Sequence, residues 1–272
     1  YTGELYVIDV SDKNSPVTMG THITPNAFTH NAWVSDNGNF VFTTDEQSDS
    51  YIAAYDITDV SNIQEVDRIQ SNPGSNSIPH NTHVDGNFII TSWYRDGTTV
   101  HDVTHPNNLV QVAYYDSYNG SGDGFDGCWG TFPFLPSGII ISSEINSSSN
   151  QKAQLMIYER GFDQACYLEG NVTDISNGNP LSGVTIQILN TILPNNSTSN
   201  LLGDYLSGTA DAATYDIVFS KPGYLSDTIS ASLSSGIVTV VDAALQPLLP
   251  FNISGTVTDI LGNGIPGSNV LI

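Results

Sequence analysis

A segment of one form recurs three times in this chain and limits what it can fold into. It reads Tyr6-Val-Ile-Asp9-Val-Ser11, then Ala54-Tyr-Asp56-Ile-Thr58, then Val100-His-Asp102-Val-Thr104, with the aspartates 47 and 46 residues apart. A second repeated pair, His30-Asn31 and His80-Asn81, is spaced by 50 residues and opens an apolar run each time. A repeat of this length is one supersecondary unit that cannot bury its apolar face alone, so neighbouring copies must stack. Within each copy the apolar residues fall in short runs near 30–35, 39–45, 50–57 and 63–69, and again near 80–84, 87–93, 98–103 and 109–115. Runs of that length with alternating character are strands. The turn chemistry of Asp36-Asn-Gly38, Asp85-Gly86, Asp96-Gly97 and Pro106-Asn-Asn108 separates them. Four short strands per unit make one blade of a β-propeller.

The pattern weakens after residue 115. The stretch from Cys128 to Glu144 stands where the His-Asn strand and its partner belong, and Gln154-Leu-Met-Ile-Tyr158 supplies one more strand. Residues 3–9 and 17–22 read as the last two strands of an earlier blade. Two full units and two partial ones amount to about three blades, where a closed propeller needs about 4–8. The sequence thus predicts further blades ahead of Tyr1, which itself falls inside a strand pattern; closure by another chain is the alternative.

At Gly161-Phe-Asp-Gln-Ala165 the period stops and a different repeat begins. Gly170-Asn-Val-Thr-Asp174 returns as Gly255-Thr-Val-Thr-Asp259, 85 residues later. Between them lie alternating segments at 184–189, 214–219, 227–232 and 238–242, enough for one small β-sandwich. The second copy reaches only two strands by Ile272, too few to bury a core. No window keeps a helical apolar period. The fold class read from the chain is all-β: propeller blades over 1–163, a sandwich over 164–250, and the start of a second sandwich over 251–272.

Composition narrows function. The 272 residues carry 28 acidic and 6 basic side chains, a formal net charge of -22. With no Lys/Arg cluster to neutralise phosphates, nucleic acid is excluded as a partner. No run of about 18 apolar residues exists to span a membrane. Only 12% of residues are charged, so Asn, Ser, Thr and Gly carry the solubility, as in many secreted all-β proteins.

His30 and His80 hold matching blade positions, and residues so placed converge on the mouth of a propeller channel. With Asp45, Glu46, His83 and Glu144 they are candidates for a His/carboxylate site for a divalent metal, since imidazole and carboxylate both suit such ions. The simpler reading, and the favoured one, is architectural. There the His-Asn side chains bond to main-chain groups of the next blade, and the third unit has no histidine to complete a ring of ligands. In the Gly-rich loop Asn119-Gly-Ser-Gly-Asp-Gly-Phe-Asp126, Asp123 and Asp126 are calcium-ligand candidates through hard oxygens. The loop lacks the order of an EF-hand and reads first as a connection between blades. Cys128 and Cys166 are either two buried thiols or one disulfide tying the last blade to the sandwich. Trp33, Trp93 and Trp129 fall at related positions and read as inter-blade packing. No Gly-x-Ser-x-Gly elbow is present, and no catalytic residue is assigned. Asn-x-Ser/Thr triplets stand at Asn119, Asn146, Asn171, Asn195, Asn196 and Asn252, and a surface protein can carry glycans on such sites.

The first 160 residues resemble the bacterial LVIVD-repeat, "choice-of-anchor B" family. The resemblance rests on Leu5-Tyr-Val-Ile-Asp-Val10, His30-Asn-Ala-Trp33, Phe42-Thr-Thr-Asp-Glu46, His80-Asn81 with Ser92-Trp-Tyr94, and Trp129-Gly-Thr-Phe-Pro-Phe-Leu-Pro-Ser-Gly138. It implies a β-propeller exported to the cell surface or medium, and it implies no reaction. Residues 166–272 resemble carboxypeptidase-regulatory-like (transthyretin-like) modules, through Gly170-Asn-Val-Thr-Asp174, Pro180-Leu-Ser-Gly-Val184, the run from Ala212 to Phe219, and Lys221-Pro-Gly-Tyr224. Such modules are accessory spacers of extracellular proteins in Bacteroidetes-type bacteria, not peptidases.

The expectation is a non-enzymatic extracellular or bacterial cell-surface protein. Its propeller presents a binding or assembly surface to other extracellular proteins or glycans, and its sandwich modules space it. Two alternatives stand beside this. One is a structural subunit of an extracellular filament or matrix, its incomplete module trading strands with another copy. The other is a metal-dependent binding protein or hydrolase with its site around His30 and His80. Calcium or another divalent metal is the only cofactor class the sequence suggests.

Overall fold

The computed structural model describes residues 3–146, 152–193, 195–249 and 254–268. The N-terminal part is a stack of antiparallel sheets, each a meander in chain order. A two-stranded ribbon comes first, β1 (Glu4–Asp9) and β2 (Val17–Ile23). A four-stranded sheet follows: β3 (Thr29–Val34), β4 (Phe40–Asp45), β5 (Ile52–Asp56) and β6 (Gln64–Ile69). The next has the same form: β7 (Pro79–Asp85), β8 (Phe88–Trp93), β9 (Gly97–Asp102) and β10 (Val110–Tyr115). Three strands end the stack: β11 (Gly127–Phe132), β12 (Ile140–Ile145) and β13 (Gln154–Tyr158). These four- and three-stranded sheets are blade-like, and they pack face to face.

Strands in the middle of the stack are buried on both faces, so their sequences alternate between two cores rather than between core and water. On β5, Ala53 and Tyr55 pack toward the first ribbon with Leu5, Val41 and Ile63. Its Ile52 and Ala54 pack the other way with Phe42, Ile89 and Trp93. The sheets at the two ends have one neighbour only. The first ribbon leaves Tyr6, Ile8, Val17, Met19 and Ile23 exposed. The last sheet aligns Phe132, Ile141 and Ile157 across its three strands, with Phe132 and Ile157 exposed.

The repeated aspartate ends the third strand of each unit, and its chemistry explains the repeat. Asp56 Oδ1 accepts the Thr58 N–H at 2.8 Å and the Thr58 hydroxyl at 2.6 Å. Asp102 does the same with Thr104 at 2.8 and 2.6 Å, and Asp9 accepts the Ser11 N–H at 2.8 Å. Each side chain closes an Asx turn that redirects the chain toward the outer strand.

The C-terminal part begins with β14 (Cys166–Asp174), followed by β15 (Thr185–Ile188), β16 (Ser197–Thr198), β17 (Asp204–Thr209), β18 (Ala213–Ser220), β19 (Asp227–Leu233), β20 (Val238–Val240) and β21 (Ala243–Leu245). One layer joins β17, β14 and β20, with β21 paired further along β14; the other runs β16-β15-β18-β19. The core between them holds Leu168, Val172, Ile186, Tyr205, Ile217 and Phe219. The Tyr205 hydroxyl donates to the Val241 carbonyl at 2.6 Å, which satisfies its one polar atom inside that core. This sandwich docks on the second full blade. Ala165 and Tyr167 share a core with Ile90, Val100, Val110 and Ile140, the Ala165 N–H donates to Asp102 Oδ2 at 2.8 Å, and Asn108 Nδ2 donates to the Ser207 carbonyl at 2.9 Å.

Residues 254–268 are exposed and hold one isolated bridge, Thr258 to Gly264. Their local bonding repeats that of the first module. The Asp259 N–H meets the Asn263 carbonyl, as Asp174 meets Asn179, and the Ile265 N–H meets the Val257 carbonyl, as Leu181 meets Val172. Among the described residues there is no helix, and so none long and apolar enough to cross a membrane.

Candidate metal centre

The innermost strand of each blade carries a β-bulge at the same place. Pairing of β3 with β4 slips between Thr29 and Asn31, that of β7 with β8 between Pro79 and Thr82, and that of β11 with β12 between Cys128 and Gly130. The residues released from the ladder are His30, His80 with Asn81, and Trp129. A bulge leaves a residue unpaired and re-aims its side chain. In the two four-stranded sheets the second strand ends opposite the start of that bulge, and the next residue out is Glu46 after β4 and Tyr94 after β8.

These positions meet between the two full blades. His30 Nδ1 lies 3.1 Å from Glu46 Oε2, and His80 Nε2 lies 3.5 Å from Glu46 Oε1. The rings of His30 and His80 stack with centroids 4.3 Å apart. The Tyr94 hydroxyl donates to Glu46 Oε1 at 2.8 Å. One ligand atom from each of His30, Glu46 and His80 falls within 4.8 Å of the other two. A tetrahedral ion with bonds of about 2.0–2.1 Å holds its ligands about 3.3 Å apart; the two His–carboxylate separations are near that length, each to a different oxygen of Glu46.

The proton of His80 is placed by its neighbour. Its Nδ1 contacts the main-chain carbonyl of Trp129, which can only accept, so Nδ1 carries a hydrogen while Nε2 faces Glu46. Asn81 Nδ2 lies 2.8 Å from the same Nδ1, and a half-turn of that amide places its oxygen against the proton. Thr44 Oγ1 donates to the His80 carbonyl and fixes the main chain. Burial holds the imidazole below its ordinary pKa and so favours the neutral form, outweighing the pull of the Trp129 carbonyl and of Glu46. A neutral ring with one nitrogen bonded to a backbone carbonyl and the other bare is the usual state of a metal-binding histidine.

The architectural reading is present in the same residues. Asn31 Oδ1 accepts the Thr82 N–H of the next blade at 3.1 Å, as His80 reaches the blade after its own.

The other candidates lie elsewhere. Asp45 is buried and its Oδ2 accepts the Asn26 N–H at 2.6 Å, and it is not part of the His30, Glu46 and His80 cluster. His83 sits among Trp33, Phe132 and Phe134. Glu144 is buried beside Ser142, whose hydroxyl it accepts at 2.7 Å. In the Gly-rich loop both calcium-ligand candidates have partners within the protein. Asp126 pairs with Arg95 at 3.1 Å, and Asp123 accepts the Ser48 hydroxyl at 3.0 Å. The guanidinium that also bonds the Ser121 carbonyl supplies the positive charge a calcium ion would have brought. Of the two readings of the cysteines the structure has the thiols: Cys128 and Cys166 are free and buried. Cys166 belongs to the sandwich core, while Cys128 lies 3.4 Å from the Thr98 hydroxyl inside the blades, where burial pushes its thiol up to about 12. Trp93 is core and donates to Thr99 Oγ1 at 3.0 Å. Trp129, expected to pack between blades, is instead 50% exposed beside His80. Of the glycosylation triplets, Asn171 and Asn195 have their amides bonded to main-chain carbonyls, and Asn252 lies outside the described residues.

Tyr94 was not among the residues singled out as ligands. Its equivalence to Glu46 appears only when β4 and β8 are set in register, because the two residues share no chemistry by which the repeat would align them.

Comparison with curated proteins finds no sequence match. Among solved structures, the periplasmic gluconolactonase of Pseudomonas aeruginosa is similar at 12% identity and a TM-score of 0.39, over 85% of this chain and 63% of that one. A Lactobacillus plantarum protein is similar at 13% and 0.38, over 86% and 68%. The minor pilin GBS52 of Streptococcus agalactiae is similar at 12% and 0.27, over 46% and 66%. The chain spans less than two thirds of the gluconolactonase and of the pilin, and at these TM-scores none of the three carries fold or activity across. The family comparison is specific for the second half of the molecule: residues 167–246 match the carboxypeptidase regulatory-like domain, so the chain carries that module from β14 to β21.

Proposed function

We propose that this chain is a non-enzymatic extracellular scaffold whose blades are stapled by a divalent transition metal held by His30, Glu46 and His80. The observation that carries the metal is the grouping itself: ligand atoms of His30, Glu46 and His80 lie within 4.8 Å of one another, and His80 turns Nε2 to a Glu46 oxygen at 3.5 Å while Nδ1 meets the Trp129 carbonyl. A cation between them would bond to both the imidazole nitrogen and the carboxylate. Two imidazoles among three donors select a zinc- or copper-type ion over calcium, which takes oxygen. The ligands come from adjacent blades, so the ion joins β3 and β4 to β7.

The scaffold reading is supported by the carboxypeptidase regulatory-like module, by a chain in which only 12% of residues are charged, and by the resemblance of the blades to exported LVIVD-repeat proteins. The apolar faces at the two ends of the stack are of the kind buried between its inner sheets, which supports a ring closed by further blades. Other extracellular proteins or glycans are the partners such a surface would meet.

Metal content and stability test the staple together. Protein purified without chelator is expected to hold about one metal per chain, and His80→Ala and Glu46→Gln to lose it. Chelation is expected to lower the unfolding free energy of the wild type by about 2–3 kcal/mol where the ion is about a hundredfold above its Kd, and to leave His80→Ala unchanged. Equal metal content in the wild type and His80→Ala would remove the metal from this reading.

A further inference from the structure

We propose that Tyr94 is a fourth ligand of this centre and that the ion it selects is Cu(II), bound by two imidazole nitrogens, one carboxylate oxygen and one phenolate oxygen. The inference rests on the metal reading above. Each of the two full blades offers two equivalent positions, the bulge residue and the residue just past the second strand. One blade fills them with His30 and Glu46, the other with His80 and Tyr94. The repeat therefore brings four donors into one cluster, two from each blade: the three metal-ligand candidates and the Tyr94 hydroxyl that bonds to one of them.

The phenol is placed for this. Its oxygen lies 2.8 Å from Glu46 Oε1, the same oxygen that faces His80 Nε2 at 3.5 Å. The side chain is 3% exposed, held between the His80 ring at 5.0 Å and the Phe125 ring at 5.2 Å. Its main chain is fixed on both sides: the Tyr94 N–H donates to the Ile78 carbonyl at 3.0 Å, and its carbonyl accepts the Cys128 N–H at 2.7 Å. The donor set then names the metal. Four nitrogen and oxygen donors suit the tetragonal preference of Cu(II), which also stands at the top of the divalent affinity order. A carboxylate and a phenolate together balance its two positive charges. On binding, the phenol O–H bond breaks and its proton goes to solvent. His30 offers Nδ1, the nitrogen that lies 3.1 Å from Glu46 Oε2. The copper stays Cu(II), and no electron moves.

The test is titration of the metal-free full chain with Cu(II) alone, read by visible absorption, electron paramagnetic resonance and metal content after desalting. The wild type is expected to take one copper and develop the phenolate-to-copper charge-transfer band. Tyr94→Phe, which keeps the ring on Phe125, is expected to bind copper about tenfold or more weakly and without the band. A colourless wild-type copper complex, a band that survives in Tyr94→Phe, or displacement of the copper by equimolar zinc overturns the proposal. Resonance Raman tyrosinate modes on the wild type give the same answer should the variant fold poorly. The two readings fail differently. Copper lost in His80→Ala but colourless in the wild type removes Tyr94 alone, whereas copper that His80→Ala retains, or that the wild type never binds, removes the centre itself.

Discussion

A single unpaired residue in each inner strand does most to shape the candidate centre. The bulge frees His30 and His80 from the ladder without breaking the blade, and in the third blade the same slip frees Trp129, whose carbonyl orients His80. Side chains that cross between blades hold these strands in step. Asp67 of β6 is one, its Oδ2 accepting the Leu109 N–H ahead of β10 at 2.6 Å. Burial pushes its carboxyl up to about 6 from 3.8, against the pull of that hydrogen bond. A carboxyl raised on folding binds its proton more tightly in the native state. Its contribution is therefore fully present below about pH 4 and lost as pH rises through 6. Asp67→Asn is expected to gain on the wild type by about 1–3 kcal/mol between pH 4 and pH 7.5, read as the pH dependence of the difference in urea unfolding free energy. A difference flat with pH would show that Asp67 does not titrate in this window.

Blades were legible in the sequence because their strands carry their own punctuation. The Asx-forming aspartates and the Gly turns mark strand ends locally, and alternation marks the faces, so the eight strands of the two full blades fall within a residue or two of their expected bounds. The histidine pair was legible for the same reason: repeated residues in repeated elements share a place in space. What depended on contacts between elements was not legible. The sequence offered Asp123 and Asp126 as calcium candidates with no sign of Arg95, about thirty residues earlier, which pairs with Asp126, and it left the two cysteines open between a bridge and two thiols, which their separate cores decide. Gly127 is a contact of that kind. It starts β11 at φ +95°, and a Cβ there would stand 1.9 Å from the Tyr94 carbonyl oxygen. Gly127→Ala is expected to cost about 3 kcal/mol or more through strain and displacement of β11, and to weaken metal binding by moving both Tyr94 and the Trp129 carbonyl. Gly130→Ala, whose added Cβ would meet nothing closer than Ser143 Oγ at 3.4 Å, is the control and is expected to leave both measurements near those of the wild type.

At the scale of the molecule, the junction between blades and sandwich decides whether the two behave as one body. The repeat aspartate Asp102 does double duty there, closing its own turn with one oxygen and accepting the Ala165 N–H with the other. Around it the shared core joins Val110 and Ile140 of the blades to Ala165 and Tyr167 of the sandwich. Contact is close enough that a Cβ on Gly208 would stand 2.7 Å from Val110 Cγ2. The sandwich also has its own core, from Leu168 to Leu245, independent of that junction. Docking by a buried apolar seam couples unfolding, and cutting the seam leaves two cores that melt separately. Calorimetry on the full chain is therefore expected to show one transition. Val110→Asp, which puts an unpaired charge into the seam, is expected to split it, with the transition of residues 164–249 staying near its original temperature while that of the blades falls. Chelation then gives the last separation, because the metal ligands lie wholly in the blades. In Val110→Asp only the lower transition is expected to move when the metal is removed. A shift of both, or two transitions in the wild type, would mean that the seam does not couple the parts in this way.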